Sequence, residues 1–244
     1  MDCKKEVEKR VAFIKDLLKK TGAKGIVFGN SGGKDCALVG ILCKMACENT
    51  LSIMMPCQSK QNYGSDMEDA KKVCEKFNID YKIIDLTEAK NQMVSAISGK
   101  SDISHSADVN IAPRLRMTTL YTIGQSMGYL VAGTGNKCEI FMGYFTKWGD
   151  GGSDFNVVSD LYVSEVYELL RYLEAPLNII EKAPSAGLFE GQTDEKEMGV
   201  TYAQIEEYIK TGNGPDGIKE KIARANAITA HKRRMPLTYA EGLE

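Results

Sequence analysis

The stretch FGNSGGKDC at residues 28–36 combines residue types that could bind a phosphate group. It follows an apolar pair and precedes an apolar, helix-like run, so its two adjacent glycines lie where a buried strand turns into a helix. Glycine N–H groups can face an anion without a side chain in the way, and the helix amino terminus adds partial positive charge. The same glycines would also suit a tight turn that needs only positive φ angles. Glycine spacing alone therefore leaves both interpretations open.

Two common nucleotide-binding glycine patterns do not fit this stretch. G-x-x-x-x-G-K-[ST] is absent because position 28 is Phe and Asp35 follows the lysine, and G-x-G-x-x-G is absent as well. SGGKDC at residues 31–36 instead resembles the SGGxDS pyrophosphate loop of the ATP pyrophosphatases, with Cys36 in place of the last serine. That resemblance implies cleavage of ATP between its α and β phosphates. Asp35 beside phosphates then requires a metal ion between them, since like charges repel.

An alternation of apolar strands and helices surrounds this loop. The patterns predict strands at 25–29, 51–56, 81–86 and 129–133, and helices at 3–20, 34–48, 65–77, 87–98 and 110–127. Strands that are apolar nearly throughout predict a parallel sheet covered on both faces, a doubly wound, Rossmann-like α/β fold. Such sheets bind ligands at the carboxyl ends of their strands, where FGNSGG and AGTGN both lie. With no internal repeat or low-complexity linker, residues 1–244 are predicted to form one domain.

Composition narrows the possible classes of protein. A hydrophobic fraction of 43% and a charged fraction of 26% are ordinary for a globular domain, and a net charge of −2 argues against a general nucleic-acid binder. The chain has no apolar run near 18 residues and no signal peptide, so a cytoplasmic, membrane-free location is expected. The seven cysteines form no C-x-x-C pair and are interpreted as reduced thiols. Cys36, Cys43 and Cys47 could share a metal, but packing roles are favoured.

Longer stretches carry a more specific resemblance. Residues 133–169, which include GYFTKWGDGGSD, and residues 183–209, which include PSAGLFEGQTDE, resemble the ammonia-dependent NAD⁺ synthetases almost residue for residue. With the pyrophosphate loop and NIAPRLRM at 110–117, the resemblance spans nearly the whole chain. It implies a two-step reaction. The carboxylate of deamido-NAD⁺ attacks the α-phosphate of ATP to form an acyl-adenylate and pyrophosphate, and ammonia then displaces AMP to give NAD⁺.

The resemblance also implies a role for individual residues. The expected metal ligands and catalytic carboxylates for Mg²⁺ are Asp35 and Glu139. The residues expected to contact ATP are Gly29, Asn30, Ser31, Gly32, Gly33, Lys34, Asp35, Cys36, Thr134 and Ser185. Those expected to hold deamido-NAD⁺ are Arg114, Lys147, Asp154, His231 and Lys232. From the residues alone, a solvated acid in a helix first turn is the favoured interpretation of Glu139. HKRR at 231–234 could likewise be a solvated helix end or a nucleic-acid patch.

Assembly and nitrogen source follow from the same resemblance. It implies a homodimer with deamido-NAD⁺ at the subunit interface. The 110–127 helix carries more apolar surface than one sheet face readily covers, although a buried core helix would explain the same pattern. Only 28 residues precede Gly29, so no amidase domain is expected there, and free ammonia is the expected nitrogen source unless a separate subunit supplies it.

Some positions depart from the family pattern, and two other functions share part of it. Val163 stands where relatives usually have a lysine, Asn30 replaces a usual Ile, Cys36 a usual Ser and Ala112 a usual Lys. If that lysine neutralises phosphate charge, Lys34 or Lys60 must substitute. A tRNA-modifying ATP pyrophosphatase would share the loop but would need a basic RNA-binding domain. A non-catalytic ATP-binding module would not need Glu139 or GYFTKWGDGGSD.

Overall fold

A parallel sheet forms the centre of the protein. In the computed structural model, which describes residues 1–58, 63–182, 193–236 and 238–239, its strands are β1 (Gly25–Gly29), β2 (Thr50–Met54), β3 (Asp80–Ile83), β4 (Tyr129–Gly133) and β5 (Phe155–Asn156). Their order is β3-β2-β1-β4-β5, and each neighbouring pair is parallel. The strand order reverses between β1 and β4, which creates the crevice where open α/β sheets bind their ligands.

Helices connect the strands and cover both faces of the sheet. They are α1 (Cys3–Thr21), α2 (Lys34–Ala46), α3 (Ser65–Lys76), α4 (Thr87–Ile97), α5 (His105–Val109), α6 (Ile111–Met127), α7 (Lys137–Met142), α8 (Val163–Tyr172), α9 (Leu177–Glu181), α10 (Asp194–Met198), α11 (Tyr202–Thr211) and α12 (Ile218–Ile228), followed by a 3-10 turn at Ala230–Arg233. Helices α1, α2 and α8 pack on one face, and α4 and α6 on the other. This confirms the predicted doubly wound α/β fold.

The apolar character of β1 follows from its position between two cores. Ile26 and Phe28 pack into the core that contains α1 and α2, whereas Val27 packs into the core that contains α6. Successive side chains of a strand point to opposite faces, so a strand covered on both sides needs apolar residues at every position. Each of the three side chains is at most 1% exposed.

The outer strands differ from the sequence-based prediction. The strand predicted at 81–86 ends at Ile83, and all four residues of β3 are exposed because it forms an edge of the sheet. Strand β5, at Phe155–Asn156, was not predicted, since two residues are too few to show a period. It pairs with the carboxyl end of β4 and so extends the sheet beside the crevice.

A smaller helical layer lies against α7. Helices α11 and α12 contact α7, and Cys138, Tyr202, Ile205 and Ile222 form a buried cluster between them. This packing supports α7, which carries Glu139. The extent of a single domain over residues 1–244 stays a prediction.

Two points of the sequence analysis, the absence of a membrane span and the state of the cysteines, can be compared with the structure. In the part of the chain that the structure describes, no helix has the length and apolar character needed to cross a membrane. All seven cysteines are free thiols. Across the described ranges, no group of three or more His, Cys, Asp or Glu side chains is placed to hold a metal ion.

Candidate active site

A cavity of about 1110 Å³ opens at the carboxyl edge of the sheet. The ends of β1, β2 and β4 line it, together with the loop that precedes α2 and the loop between α7 and β5. Pockets for a single drug-sized ligand are usually about 300–1,000 Å³. The cavity is therefore large enough to accept more than one small ligand.

The predicted pyrophosphate loop forms one wall of this cavity. Helix α2 begins at Lys34, and its cap residue, Gly33, makes no side-chain capping hydrogen bond. Backbone N–H groups in the first turn thus have no side-chain acceptor and can bind an anion. Gly32 has a φ of +73°, and a Cβ there would lie 2.1 Å from the backbone oxygen of Asp66. Only glycine fits at this position.

The buried side chain of Asn30 fixes the predicted pyrophosphate loop by hydrogen bonds. Its Oδ1 accepts a hydrogen bond from the Gly32 N–H at 3.0 Å, and its Nδ2 donates to Ser52 Oγ at 3.1 Å. The Asn30 backbone N–H donates to the Ile53 carbonyl, as in a regular strand pair. In place of the usual isoleucine, this asparagine therefore fixes the loop by hydrogen bonds to its own backbone and to β2.

Asp35 and Glu139 both line the cavity, one at the amino end of α2 and the other at the amino end of α7. Asn136, which is fully buried, connects them. Its Nδ2 donates to Asp35 Oδ1 at 3.3 Å, and its backbone N–H donates to Glu139 Oε2 at 3.0 Å. Glu139 thus caps its own helix while lining the cavity, which argues against the solvated-acid interpretation.

The charged side chains of Lys34, Asp35 and Glu139 interact with one another in this wall. Burial and the neighbouring Asp35 raise the pKa of Glu139 to about 8. Lys34, 6% exposed, lies 2.8 Å from Asp35 Oδ2 and 5.3 Å from the centroid of the Tyr202 ring. Burial by itself lowers the pKa of Lys34, but Asp35 and Glu139 outweigh burial, and the net shift is upward. A second cation bound here would stabilise the ionised form of Glu139.

We expect the unfolding temperature of the metal-free protein to fall as the pH rises from about 5 to 8. In the unfolded chain, Glu139 ionises near its ordinary pKa of 4.5, whereas in the folded protein it keeps its proton until about pH 8. The folded state binds more protons between these values, so stability is present below the lower pKa and is lost as pH rises through the higher one. Calorimetry in EDTA measures the decline. Glu139→Gln should flatten it, and an unchanged decline in that variant would contradict the assignment.

The structure brings only some of the predicted residues to the cavity. Besides Asp35 and Glu139, the predicted residues that line it are Gly29, Asn30, Ser31, Gly33, Lys34, Cys36, Thr134 and Lys232. The described residues that were predicted but do not line it are Gly32, Arg114, Lys147, Asp154 and His231. Ser185 lies outside the described residues, as does Lys60.

Two of the residues predicted to bind substrate make contacts within the protein. Lys232 Nζ donates to the carbonyls of Gly143 and Phe145, each at 2.8 Å, where the helix α7 ends. Asp154 accepts from the Val131 N–H at 2.8 Å and from the Tyr121 hydroxyl at 3.2 Å. Both side chains therefore help to fix the loop between α7 and β5. This role is separate from their predicted contacts with substrate.

The cavity also includes residues that the sequence patterns did not single out. Arg116, the second arginine of RLR, donates from Nε to the Met55 carbonyl at 3.0 Å and lines the cavity. Lys182 bridges Asp66 and Asp69, at 2.7 and 2.8 Å, and so ties the residue that follows α9 to the start of α3. Arg116 lies in the motif NIAPRLRM beside the predicted Arg114, so the sequence could have indicated it as a second candidate. Nothing in the sequence links Lys182 with residues more than a hundred positions away.

Comparisons with known protein sequences show which family the chain resembles. Residues 6–236 match the profile of the family described as NAD synthase. The NH(3)-dependent NAD(+) synthetase of Carboxydothermus hydrogenoformans is 44% identical over 236 residues, 95% of either chain, and that of Archaeoglobus fulgidus is 42% identical, with 97% of this chain and 96% of the other covered.

Solved structures give the same result. The NMN synthetase of Francisella tularensis superimposes with a TM-score of 0.91 at 36% identity, covering 98% of both chains. The NH3-dependent NAD synthetase of Campylobacter jejuni superimposes with a TM-score of 0.80 at 32% identity, covering 98% of this chain and 99% of the other. A glycine-rich loop at the start of α2, two carboxylates at neighbouring strand ends and a family match along nearly the whole chain lead to one conclusion: this chain belongs to the NAD synthase family.

Proposed function

We propose that the protein is an ammonia-dependent NAD⁺ synthetase. It would use ATP to activate the carboxylate of deamido-NAD⁺ as an acyl-adenylate, which ammonia converts to NAD⁺ and AMP. The observation that carries this proposal is the pairing of Asp35 with Glu139 through Asn136, beside a helix start whose N–H groups have no side-chain cap. That arrangement suits a triphosphate whose negative charge must be neutralised. A cytoplasmic location stays a prediction.

The two carboxylates fit a magnesium ion. Mg²⁺ prefers oxygen ligands and is usually bound through one or two carboxylates, with substrate phosphates and water completing its shell. Burial and the neighbouring Asp35 raise the pKa of Glu139, and a cation shared by the two carboxylates would favour its ionised form. When bound, Mg²⁺ would supply positive charge to the phosphates of ATP.

The protein's own groups would position the reactants. The N–H groups at the start of α2 would bind the phosphates released as pyrophosphate, and Lys34 would neutralise part of the charge of the adjoining carboxylates. Val163 packs in the same cluster as Tyr202, and the ammonium of Lys34 lies over the Tyr202 ring. This proximity supports Lys34 as the cation that compensates for the lysine usual at position 163. Catalysis would then rest on orientation and charge neutralisation.

The remaining assignments are part of the same proposal. Thr134 and Ser185 would contact ATP. The side chains proposed for deamido-NAD⁺ are those of Arg114, Lys147, Asp154, His231 and Lys232. Arg114 is exposed on α6 and does not line the cavity of its own chain, so it could reach a substrate held in a second copy.

A homodimer through α6 would place Arg114 in such a position. Leu120 is buried against the sheet, and Tyr121 and Ile123 pack against the same core, so most apolar residues of α6 face inward. The exposed stripe instead carries Thr118, Thr122 and Ser126, whose hydroxyls each donate to the carbonyl four residues earlier. Small side chains with satisfied hydroxyls can be buried in a helix pair at low cost.

We expect Thr122→Arg to produce monomers at micromolar concentration, because a long charged side chain would separate the two α6 helices. Multi-angle light scattering of wild type and variant measures the mass. Thr211→Arg is the matched control, since Thr211 is also an exposed helical threonine that donates to the carbonyl four residues earlier. A wild-type mass near the 26.9 kDa of one chain would contradict the dimer.

A second candidate function is the synthesis of nicotinamide mononucleotide. The structure named NMN synthetase superimposes with a TM-score of 0.91, against 0.80 for the named NAD synthetase. Amidation of nicotinic acid mononucleotide would use the same activation of a carboxylate by ATP. The acyl substrate would lack the adenylyl half and would fill less of the cavity.

One assay distinguishes these functions. The purified protein is supplied with ATP, Mg²⁺, ammonium and either deamido-NAD⁺ or nicotinic acid mononucleotide, and the products are separated by chromatography. A higher kcat/KM with deamido-NAD⁺ is expected, whereas a preference for the mononucleotide would favour the second candidate. Glutamine in place of ammonium should not support turnover. Failure to amidate either substrate would contradict both functions.

A further inference from the structure

Trp148 is the only tryptophan of the chain, and it lines the cavity from the loop between α7 and β5. Its side chain is 46% exposed, although indoles are usually well covered in folded proteins. Its backbone has a φ of +61°, in the left-handed region that bulky side chains rarely adopt. Such conformations cost free energy and cluster at ligand-binding sites. Both features suggest that the indole is placed for a ligand.

The turn around Trp148 is held by its neighbours. The Gly149 and Gly151 N–H groups donate to the Thr146 carbonyl at 2.9 and 3.2 Å, and the Thr146 N–H donates to Asp150 Oδ1 at 2.9 Å. A Cβ at Gly149 would lie 3.0 Å from Pro113 Cβ, so the turn also packs tightly against the start of α6. The indole is thus presented to the cavity from a fixed backbone, which reduces the entropy lost when a ligand stacks on it.

The indole also attracts a positive charge. The ammonium of Lys147 lies 5.4 Å from the centroid of the Trp148 ring, within the range of a cation–π interaction. Tryptophan has the most favourable ring face for such contacts. A flat aromatic ligand that carries a positive charge would combine cation–π attraction with stacking area. The nicotinate ring of a pyridine nucleotide is such a group, because its glycosylated nitrogen makes it a pyridinium cation.

We propose that the indole of Trp148 stacks on the pyridinium ring of the acyl substrate and makes the protein selective for that ring. The inference rests on the proposed function and deepens it, since it identifies the group that binds the reacting end of the substrate. Deamido-NAD⁺ and nicotinic acid mononucleotide share this ring, so the assignment holds for either candidate substrate. The adenine ring of ATP is uncharged and gains only the stacking contribution.

The single tryptophan makes a direct binding test possible. A stacked pyridinium accepts an electron from the excited indole and quenches its fluorescence. We expect deamido-NAD⁺ and NAD⁺ to quench the emission of the Mg²⁺-containing wild-type protein strongly. ADP-ribose, which lacks only the pyridine ring of NAD⁺, should bind by calorimetry without comparable quenching. ATP alone should leave the emission nearly unchanged, and quenching by ATP as strong as that by deamido-NAD⁺ would overturn the assignment.

Two variants test the effect on turnover. Trp148→Leu should raise the KM for deamido-NAD⁺ by about 3- to 30-fold, the range expected for a lost cation–π contact, while the KM for ATP stays close to wild type. Trp148→Phe keeps an aromatic face and should have a smaller effect. Equal effects of Leu and Phe would overturn the cation–π contribution. Turnover without quenching would overturn the stacking but leave the proposed function intact, whereas loss of both turnover and binding in the wild type would overturn both.

Discussion

Asp35→Asn is expected to lower the rate of NAD⁺ formation by about 100-fold or more, because it removes one of the two carboxylates proposed to hold the metal ion between the ATP phosphates. Asparagine keeps the shape of the side chain and its hydrogen bond with Asn136, so the change is mainly one of charge. The measurement is kcat at saturating ATP, deamido-NAD⁺ and ammonium. The Mg²⁺ concentration needed for half-maximal rate should rise as well.

A matched control separates this effect from the loss of a buried ion pair. Asp69 is also buried and pairs with a lysine, Lys182, at 2.8 Å, but it does not line the cavity. Asp69→Asn should therefore leave kcat within a few-fold of wild type. Near-normal turnover of Asp35→Asn would show that this carboxylate is only structural.

Lys34→Met is expected to destabilise the metal-free protein by about 3–5 kcal/mol, because breaking a buried ion pair leaves an uncompensated charge in the interior. Lys34 and Asp35 are 6% and 9% exposed, and Lys34 also lies over the ring of Tyr202. Its removal would leave the Asp35 carboxylate without its buried cation. Urea denaturation in EDTA measures the change in the free energy of unfolding.

Two controls make the result specific. Lys20→Met removes an exposed lysine that pairs with Asp16, and surface pairs contribute only about 0–1 kcal/mol. Adding Asp35→Asn to Lys34→Met should recover part of the lost stability, since the carboxylate left without its buried partner is then replaced by a neutral amide. A destabilisation by Lys34→Met no larger than that of Lys20→Met would contradict the role assigned to this buried lysine.

Local patterns in the sequence predicted the parts of the site that depend on a single strand-to-helix junction. The apolar strand at 25–29, the two glycines and the start of α2 are all present, because each depends on residues close together in the chain. The long motifs predicted the family, which the comparisons confirm. That family membership favours an NAD synthetase over a tRNA-modifying pyrophosphatase or a non-catalytic ATP-binding module.

The basic segment at 231–234 makes contacts within the protein that its sequence motif does not predict. The motif predicts that Lys232 meets a substrate phosphate, and in the structure Lys232 lines the cavity while its ammonium donates to two carbonyls at the end of α7. Arg233 likewise donates to the Ile140 and Phe141 carbonyls. These contacts depend on how the 3-10 turn packs against α7, which a sequence motif does not encode.

The sequence by itself determined the fold class, the glycine-rich loop between β1 and α2 and the family, because these follow from residue periodicity and from motifs of neighbouring residues. Only the tertiary structure decided which distant side chains meet. Asn136 reaches Asp35 across 101 positions, and Lys182 approaches the Gly32 carbonyl across 150. Side-chain direction and burial set these contacts, and with them the raised pKa of Glu139 and the half-exposed indole of Trp148 in the cavity wall. Both result from packing between elements that no local pattern relates.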